Sequence, residues 1–266
     1  MNRRERDYAF YKKKHPVSEL GNDEQLVREL FWATPQFSFC GDKMDTPLHL
    51  AVYQGHIDGA TKLLAYGANP NNISSWMGQT PLHDAAACPC ALYTTNPTVR
   101  PAMVRLLLEN GANVMAVVEN GATPLHLAVT HGHYETVQVL LDFMIHHGFG
   151  ISPVTDNWHG KGTTPLMQAA SKGLVDIVRL ILSRGADLRM ELDNGDTAED
   201  LARKFGHDEV AQILNQEKLR IDQSLAFAMG QHPRIGHGTH VRSIDEGVVK
   251  MVLEELRRMY TEGVSQ

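Results

Sequence analysis

Short apolar blocks alternate with polar turns along most of this chain, and the blocks recur at a nearly constant interval. In the block that begins at Thr46, the apolar residues Leu48, Ala51 and Val52 have the spacing of one side of an α-helix. Recurrence of this kind indicates that the chain stacks one small unit several times rather than folding around a single central core. The pattern therefore predicts an all-α solenoid.

The ends of the predicted helices are marked by residues with strong conformational preferences. Thr46 stands before Pro47, a pair suited to the N-cap and first position of a helix. Gly55 ends that helix, a second helix is predicted from about Ile57 to Ala65, and Gly67 closes it as a left-handed C-cap. Each unit is therefore expected to contain two antiparallel helices followed by a projecting turn.

The motif Thr-Pro-Leu-His opens three units, and related segments, Thr-Pro-Leu-Met and Thr-Ala-Glu-Asp, open two more with a period of about 33 residues. In motif and period, the chain resembles ankyrin repeats over roughly residues 18–215. The resemblance implies a solenoid of helix–turn–helix units with projecting hairpin turns. The units begin near Thr46, Thr80, Thr123, Thr164 and Thr197.

The repeat is interrupted at three places. About ten extra residues fall within Ala87–Pro101, between the two helices of one unit. About four extra residues near Asp142–His147 predict one more helical turn, and a further four lengthen the turn that carries Trp158. Before the first motif, residues 19–33 have a helical pattern that predicts an N-terminal capping unit.

The two ends of the chain do not repeat. Residues 1–17 form a basic arm, interpreted as a flexible segment, with a localisation signal or an anionic partner as the alternative. Residues 216–266 form a C-terminal extension, with a predicted helix continuing to about Met229 and an amphipathic helix over Asp245–Tyr260. The amphipathic helix is expected to cap the open end of the stack. The alternative is a separate partner-binding helix.

Composition restricts the kind of protein and its surroundings. A formal net charge of −6 argues against a general nucleic-acid or acidic-membrane binder. No apolar run of membrane-spanning length is present, and no apolar stretch follows the basic arm as in a secretory signal. Three cysteines cannot form a disulfide framework for a chain of this size. We therefore expect a monomer in the cytoplasm, with the nucleus as the alternative.

Histidines are the most conspicuous candidates for chemistry. His49, His83 and His126 occur once per unit at the same helical position, too far apart to share a metal ion. The resemblance implies that they form hydrogen bonds with neighbouring backbone, and Met167 would lose that bond and loosen its repeat junction. The histidine pairs at 131/133 and 146/147 are interpreted as structural or surface residues. The loop with His232, His237 and His240 is more open, and a metal site is the minor alternative there.

Motifs typical of enzymes are absent from the sequence. The sequence has no phosphate-binding loop, no nucleophile elbow and no zinc-protease motif. We therefore expect no catalytic activity, no cofactor and no metal.

A binding surface follows from the resemblance, which implies a concave face made of first-helix ends and turn tips. Trp76, Met77 and Trp158 are large apolar residues on turns, where they would serve as binding anchors or else fold back onto the adjacent turn. The predicted contact residues are Tyr53, Gln54, Trp76, Met77, Gln79, Glu119, Asn120, Ala122, Thr130, His131, Trp158, His159, Lys161, Ser171, Lys172, Asp193, Asn194 and Asp196.

The predicted function is a non-enzymatic scaffold or adaptor that binds a partner protein or peptide on this face. The alternative is a regulatory or targeting subunit, such as a ubiquitin-ligase adaptor, that recruits a second component through its C-terminal helix. No Leu-Pro-rich recruitment box follows Gln216, which weakens the alternative.

Overall fold

A computed structural model describes residues 46–74, 78–87, 96, 98–152 and 162–231 of the 266-residue chain, with side chains up to residue 223. The basic arm, the predicted capping unit over residues 19–33 and the helix predicted over Asp245–Tyr260 lie outside these residues. So do most of the Ala87–Pro101 insertion and the histidine loop between residues 230 and 240.

The described residues form helices in pairs, as the sequence predicts. The first helix of each pair follows the Thr of the repeat motif. The second follows a short turn at glycine, except in the pair that the insertion interrupts. The helices are α1 Pro47–Tyr53, α2 Ile57–Ala65, α3 Pro81–Ala87, α4 Val99–Glu109, α5 Pro124–Thr130, α6 Tyr134–His146, α7 Pro165–Ser171, α8 Val175–Ser183, α9 Ala198–Lys204 and α10 Asp208–Gln231.

Helix lengths confirm the predicted irregularities. Helix α6 has 13 residues, whereas α2 and α8 have 9 each, so the extra residues before Gly148 do extend the helix by one turn. Helix α3 ends at Ala87 and α4 starts at Val99, which places the insertion between the two helices of its unit. Helix α10 continues without a break to Gln231, past the end of the last repeat.

The helices pack in two rows. The first helices, α1, α3, α5, α7 and α9, lie side by side in chain order, and the second helices α2, α4, α6 and α8 form the other row. Contacts between neighbouring first helices are on the whole more extensive than those between neighbouring second helices. One position explains this close approach, since a completely buried alanine occupies the fifth residue of every first helix. These alanines are Ala51, Ala85, Ala128, Ala169 and Ala202.

The repeated histidine ties each unit to the next. His49 Nδ1 lies 3.2 Å from the backbone nitrogen of Thr46 and 2.8 Å from its hydroxyl. Because Nδ1 accepts the backbone N–H, the ring proton is on Nε2, which donates to the carbonyl of Gln79 at 3.3 Å. Gln79 directly precedes the Thr of the following unit. The histidine therefore closes its own helix N-terminus and bonds the neighbouring repeat.

The same arrangement recurs in the next two units. The Nε2 atom of His83 lies 3.3 Å from the carbonyl of Ala122, and that of His126 lies 3.3 Å from the carbonyl of Thr163. Both rings are almost completely buried. The hydrogen bonding implied by the family resemblance is thus confirmed, and these imidazoles are part of the fold rather than a metal site.

The fourth and fifth units use different groups at this position. Met167 makes no side-chain bond of this kind, although Thr164 still caps its backbone nitrogen. In the fifth unit, the carboxylate of Asp200 accepts from the nitrogen and hydroxyl of Thr197 at 3.0 and 2.6 Å. The two units are instead linked by His207, whose Nε2 lies 3.1 Å from the carbonyl of Ser171. The fourth and fifth units are therefore joined by a hydrogen bond from His207, although Met167 itself provides none.

The chain divides into two compact units, Met1–Ala211 and Gln212–Gln266. Helices α1–α9 belong to the first. In the second, the described part is the continuation of α10, on which Arg220 and Glu217 form an ion pair one helical turn apart.

The buried histidines make the stability of the stack depend on pH. Burial lowers the pKa of His83 and of His126 from 6.5 to about 4. In the unfolded chain both rings take up a proton near pH 6.5, so their contribution is complete above that pH and declines as the pH falls towards 4. Between these limits, each ring should add about 1.4 kcal/mol per pH unit to the slope of the unfolding free energy.

Replacing one ring isolates its share. In His126→Met, which copies the residue of the fourth unit, the pH dependence of the unfolding free energy should be shallower than in the parent chain by about that slope. Urea unfolding at a series of pH values measures it. Equal slopes for parent and variant would show that the pKa of His126 is the same in the folded and unfolded states.

A second prediction concerns Gly173, whose φ of +68° is left-handed. A β-carbon there would lie 2.5 Å from Nδ1 of His207, whereas at Gly132, with a φ of +70°, the nearest atom is a Leu174 methyl at 3.9 Å. Gly132→Ala should cost about 1 kcal/mol of backbone strain. Gly173→Ala should cost roughly 1–3 kcal/mol more, because the ring must leave Ser171. In a His207→Ala background the two costs, measured by denaturant unfolding, should become equal.

Candidate functional site

The predicted partner-binding residues that the structure describes fall on two strips of the first compact unit. We call the first the helix-end strip: it contains the last residue of each first helix and, where described, the residue that follows. The second is the turn strip, which contains the turn residues before each motif. A first helix of seven residues separates the strips, a length of about 10 Å.

On the helix-end strip, exposure varies between equivalent positions. Tyr53 at the end of α1 is 45 % exposed, and His131 and Lys172, which follow α5 and α7, are also exposed. Thr130 is half-buried, and its hydroxyl donates to the His126 carbonyl and accepts from Gln168 Nε2. These four side chains remain available for contact.

Three of the predicted contact residues are buried, and the proposed contact surface omits them. Gln54 is 4 % exposed and Ser171 8 %, and the Ser171 hydroxyl bonds the carbonyl of Gln168 one turn earlier. Ala122, at 6 %, contributes its carbonyl to the bond with His83. Their side chains are therefore not accessible to a partner.

The turn strip is acidic and held by local hydrogen bonds. Glu119, Asp193 and Asn194 are exposed, whereas Gln79, Asn120 and Asp196 are half-buried. The side chain of Asn120 accepts from the nitrogen of Ala122 at 3.1 Å, and that of Asn194 accepts from the nitrogen of Asp196 at 3.0 Å. These bonds fix the two turns in the same conformation.

The remaining predicted contacts lie outside the described residues. They are Trp76, Met77, Trp158, His159 and Lys161. For these five positions the contact role stays a prediction from sequence.

The structure adds exposed residues that the sequence analysis missed. Lys204 and Phe205 occupy the helix-end strip in the fifth unit, and Phe205 is 47 % exposed. Counting from Thr197 as in the other units would have identified both. On neighbouring turns, Ile73 and Val117 are 66 % and 58 % exposed, each directly before the residue that begins the turn's closing hydrogen bond.

Beside the middle of the helix-end strip lies a group of basic side chains that come from three successive units. We call it the basic cluster: Arg100, His131, His133 and Lys172. The imidazole rings of His131 and His133 are stacked, with centroids 5.7 Å apart and planes 14° from parallel. Arg100 is buried, and one of its guanidinium nitrogens lies 3.4 Å from the carbonyl of Ala85.

Burial and neighbouring positive charges lower the pKa of both histidines in this cluster. The pKa of His131 is lowered by partial burial and by the positive charges of Arg100 and Lys172. The pKa of His133 falls to about 4, through burial and then through Arg100 and His131. The Nε2 atom of His133 is buried without a hydrogen-bond partner. Burial and the neighbouring positive charges therefore disfavour protonation of both rings.

Other histidines have structural surroundings. His147 stacks on Phe143 with ring centroids 4.0 Å apart and bonds its carbonyl at 2.9 Å, at the extended end of α6. Among the residues described between 46 and 231, no three His, Cys, Asp or Glu side chains converge as metal ligands. Within the same residues, no helix combines the length and apolar character needed to cross a membrane.

Paired helices, a shared capping motif and equivalent exposed strips define a helical repeat protein. Family models agree: one for three copies of ankyrin repeats matches residues 15–93 and 143–224, one for many copies matches 100–141, and one for a single repeat matches 77–118. The three-copy model alone spans more than half of the chain. The protein belongs to the ankyrin repeat family, whose repeats mediate protein–protein interaction.

Several curated proteins with different names are similar to this chain over part of their length. The mouse B-cell lymphoma 3 protein homolog (Mus musculus) is 35 % identical over 147 residues, which cover 54 % of this chain and 30 % of the relative. Mouse ankyrin repeat and SOCS box protein 16 is 32 % identical over 182 residues, 67 % of this chain and 36 % of the relative. Tyrosine-protein kinase HTK16 of Hydra vulgaris is 28 % identical over 189 residues, 68 % and 23 % respectively. The chain thus matches about a third or less of each relative's length.

Proposed function

We propose that this protein is a non-enzymatic scaffold that binds a partner protein or peptide across the helix-end and turn strips. The observation that carries the proposal is the contrast within each unit. The fifth residue of each first helix is a buried alanine, whereas the residue that follows the same helix changes from Gln54 to His131, Lys172 and Phe205. Variation of chemical type on a constant frame supports recognition of a specific partner.

Rigidity supports the same proposal. Side chains on the helix-end strip stand on helices whose starts are fixed by capping bonds and by the histidine links between units. A surface held in this way loses little conformational entropy when a partner binds. Exposed tyrosine, as at Tyr53, is typical of residues that dominate binding energy in protein interfaces.

Two tyrosines in one unit provide a matched test. Tyr53 ends the first helix and is 45 % exposed, whereas Tyr66 follows the second helix and is 56 % exposed. Tyr53→Ala should weaken partner binding by about 1–2 kcal/mol, roughly five- to thirtyfold. Tyr66→Ala should leave it unchanged. Partners captured from a cell extract with the parent chain would be retested with each purified variant.

The melting temperature of each tyrosine variant serves as the control for the binding measurement. Both variants should melt close to the parent temperature, because neither tyrosine is in the core. Equal losses of binding from the two variants, or no loss from Tyr53→Ala, would place the contact surface elsewhere on the molecule.

A second candidate function is an adaptor that recruits another component through its C-terminal extension. Two observations favour it: α10 continues to Gln231, beyond the last repeat, and a SOCS box protein is among the relatives that match two thirds of this chain. Under this proposal the repeats bind one protein and residues 216–266 bind another.

Truncation after Asn215 separates recruitment from capping. If the extension recruits, the shortened chain should keep its melting temperature and its Tyr53-dependent partner but lose a second captured protein. If the extension covers the end of the stack, the melting temperature should fall. Calorimetry combined with capture measures both, and an unchanged set of captured proteins would argue against the adaptor.

A further inference from the structure

Two neighbouring turns carry the most exposed large aliphatic side chains of the described residues. Ile73, on the first described turn, is 66 % exposed, and Val117, on the next turn, is 58 % exposed. Glu119 follows Val117 by two residues and is exposed as well. We call Ile73, Gly78, Val117 and Glu119 the turn patch.

Gly78 is the point at which the two turns of the patch meet. A β-carbon on Gly78 would lie 3.7 Å from Cγ2 of Ile73 and 3.9 Å from Cγ of Glu119. The two side chains, one from each turn, therefore border the same glycine, which places no side chain of its own between them. The result is a shallow notch with one apolar wall and one acidic wall.

The turns that form the patch contain no basic residue. Residues 69–79 and 113–122 include no lysine, arginine or histidine. Glu119 forms no ion pair with another described residue. A cationic segment that also carries apolar side chains would therefore complement both walls of the notch.

The basic arm, residues 1–17, has this composition. Six lysines and arginines and two acidic residues give it a net charge of +4, so the remainder of the chain carries −10. Its basic residues form two groups, within residues 3–6 and 12–14, and Tyr8, Phe10 and Tyr11 stand between them. The arm thus combines aromatic side chains for the apolar wall with cations on either side for the acidic wall.

The arm is also attached on the same side of the stack as the patch. The described chain enters the stack at Thr46, and Nε2 of the nearby His49 lies 3.3 Å from the carbonyl of Gln79, next to Gly78. Residues 18–45, 28 in all, join the arm to Thr46. A random-coil chain of that length spans on the order of 30 Å, whereas neighbouring helices lie about 10 Å apart. Attachment at this distance raises the effective concentration of the arm at the patch.

We propose that the basic arm docks on the turn patch of its own chain. Phe10 and the tyrosines beside it would lie against Ile73 and Val117, with a lysine or arginine of the arm beside Glu119. This contact is within the chain and so does not depend on the proposed function. It bears on that function, because a partner that binds the turn strip must displace the arm.

A photo-cross-linking side chain in the arm tests this placement. In the full chain, Phe10 is replaced by p-benzoylphenylalanine, and the links formed on irradiation are mapped by mass spectrometry. We expect links within one chain to the two turns of the patch, at a yield independent of protein concentration. The yield should fall as salt is added, because the screening length shortens from about 10 Å at 0.1 M to about 3 Å at 1 M.

Substitutions in the patch are compared with matched controls at the salt concentration that halves the yield. Glu119→Lys should lower the yield about two- to fivefold by reversing an exposed charge, whereas Glu109→Lys, at the exposed end of α4, should not change it. Ile73→Ser should lower the yield to a similar extent by removing apolar surface, whereas Ile145→Ser, at an exposed position of α6, should not. All four variants should keep the parent melting temperature.

Three results would overturn the docking: no link to either turn, links only between chains, and equal effects of Glu119→Lys and Glu109→Lys. The Tyr53→Ala measurement keeps the two proposals apart. If the docking fails while Tyr53→Ala still weakens partner binding, the scaffold function stands without the arm contact. If the links form as expected and Tyr53→Ala has no effect, the arm docks and the partner surface lies elsewhere.

Discussion

Hydrogen bonds from an imidazole to the backbone of the next repeat fix how the first three described units stack on their neighbours. A single pair of short helices cannot bury its apolar side, so each unit needs a neighbour at a fixed distance and rotation. Hydrophobic contact supplies the driving force but not the direction. The histidine supplies direction, because one nitrogen bonds its own helix start and the other bonds the carbonyl before the following Thr.

This dual bond also explains why a polar ring is tolerated in the core. Burial of an imidazole with an unmet donor or acceptor is costly, but in His83 both ring nitrogens have partners. The ring remains neutral, and its neutrality is what allows Nδ1 to accept. The fifth unit retains only the acceptor half of this arrangement, through Asp200, and His207 provides the link to the preceding unit from another position.

Sequence reasoning predicted the fold well because the relevant constraints are local. Proline after threonine, glycine at the turns and alanine between helices each act within a few residues, and the period places them in register. Side-chain exposure at the proposed contact surface could not be predicted in the same way. Tyr53 and Ser171 occupy equivalent positions, yet the tyrosine is exposed and the serine is buried, because side-chain size and the neighbouring unit decide the outcome. The motif contains no information on either.

The basic cluster could not be predicted from the sequence either, because its members come from different units. Arg100, His133 and Lys172 belong to three units and are far apart in sequence, and Arg100 follows an insertion that disturbs the period. Only the stack brings them together. A net charge of −6 describes the average of the surface, whereas a binding site responds to charges within about one screening length, roughly 8 Å. In a repeat protein, therefore, specificity follows from which charges the stacking places side by side.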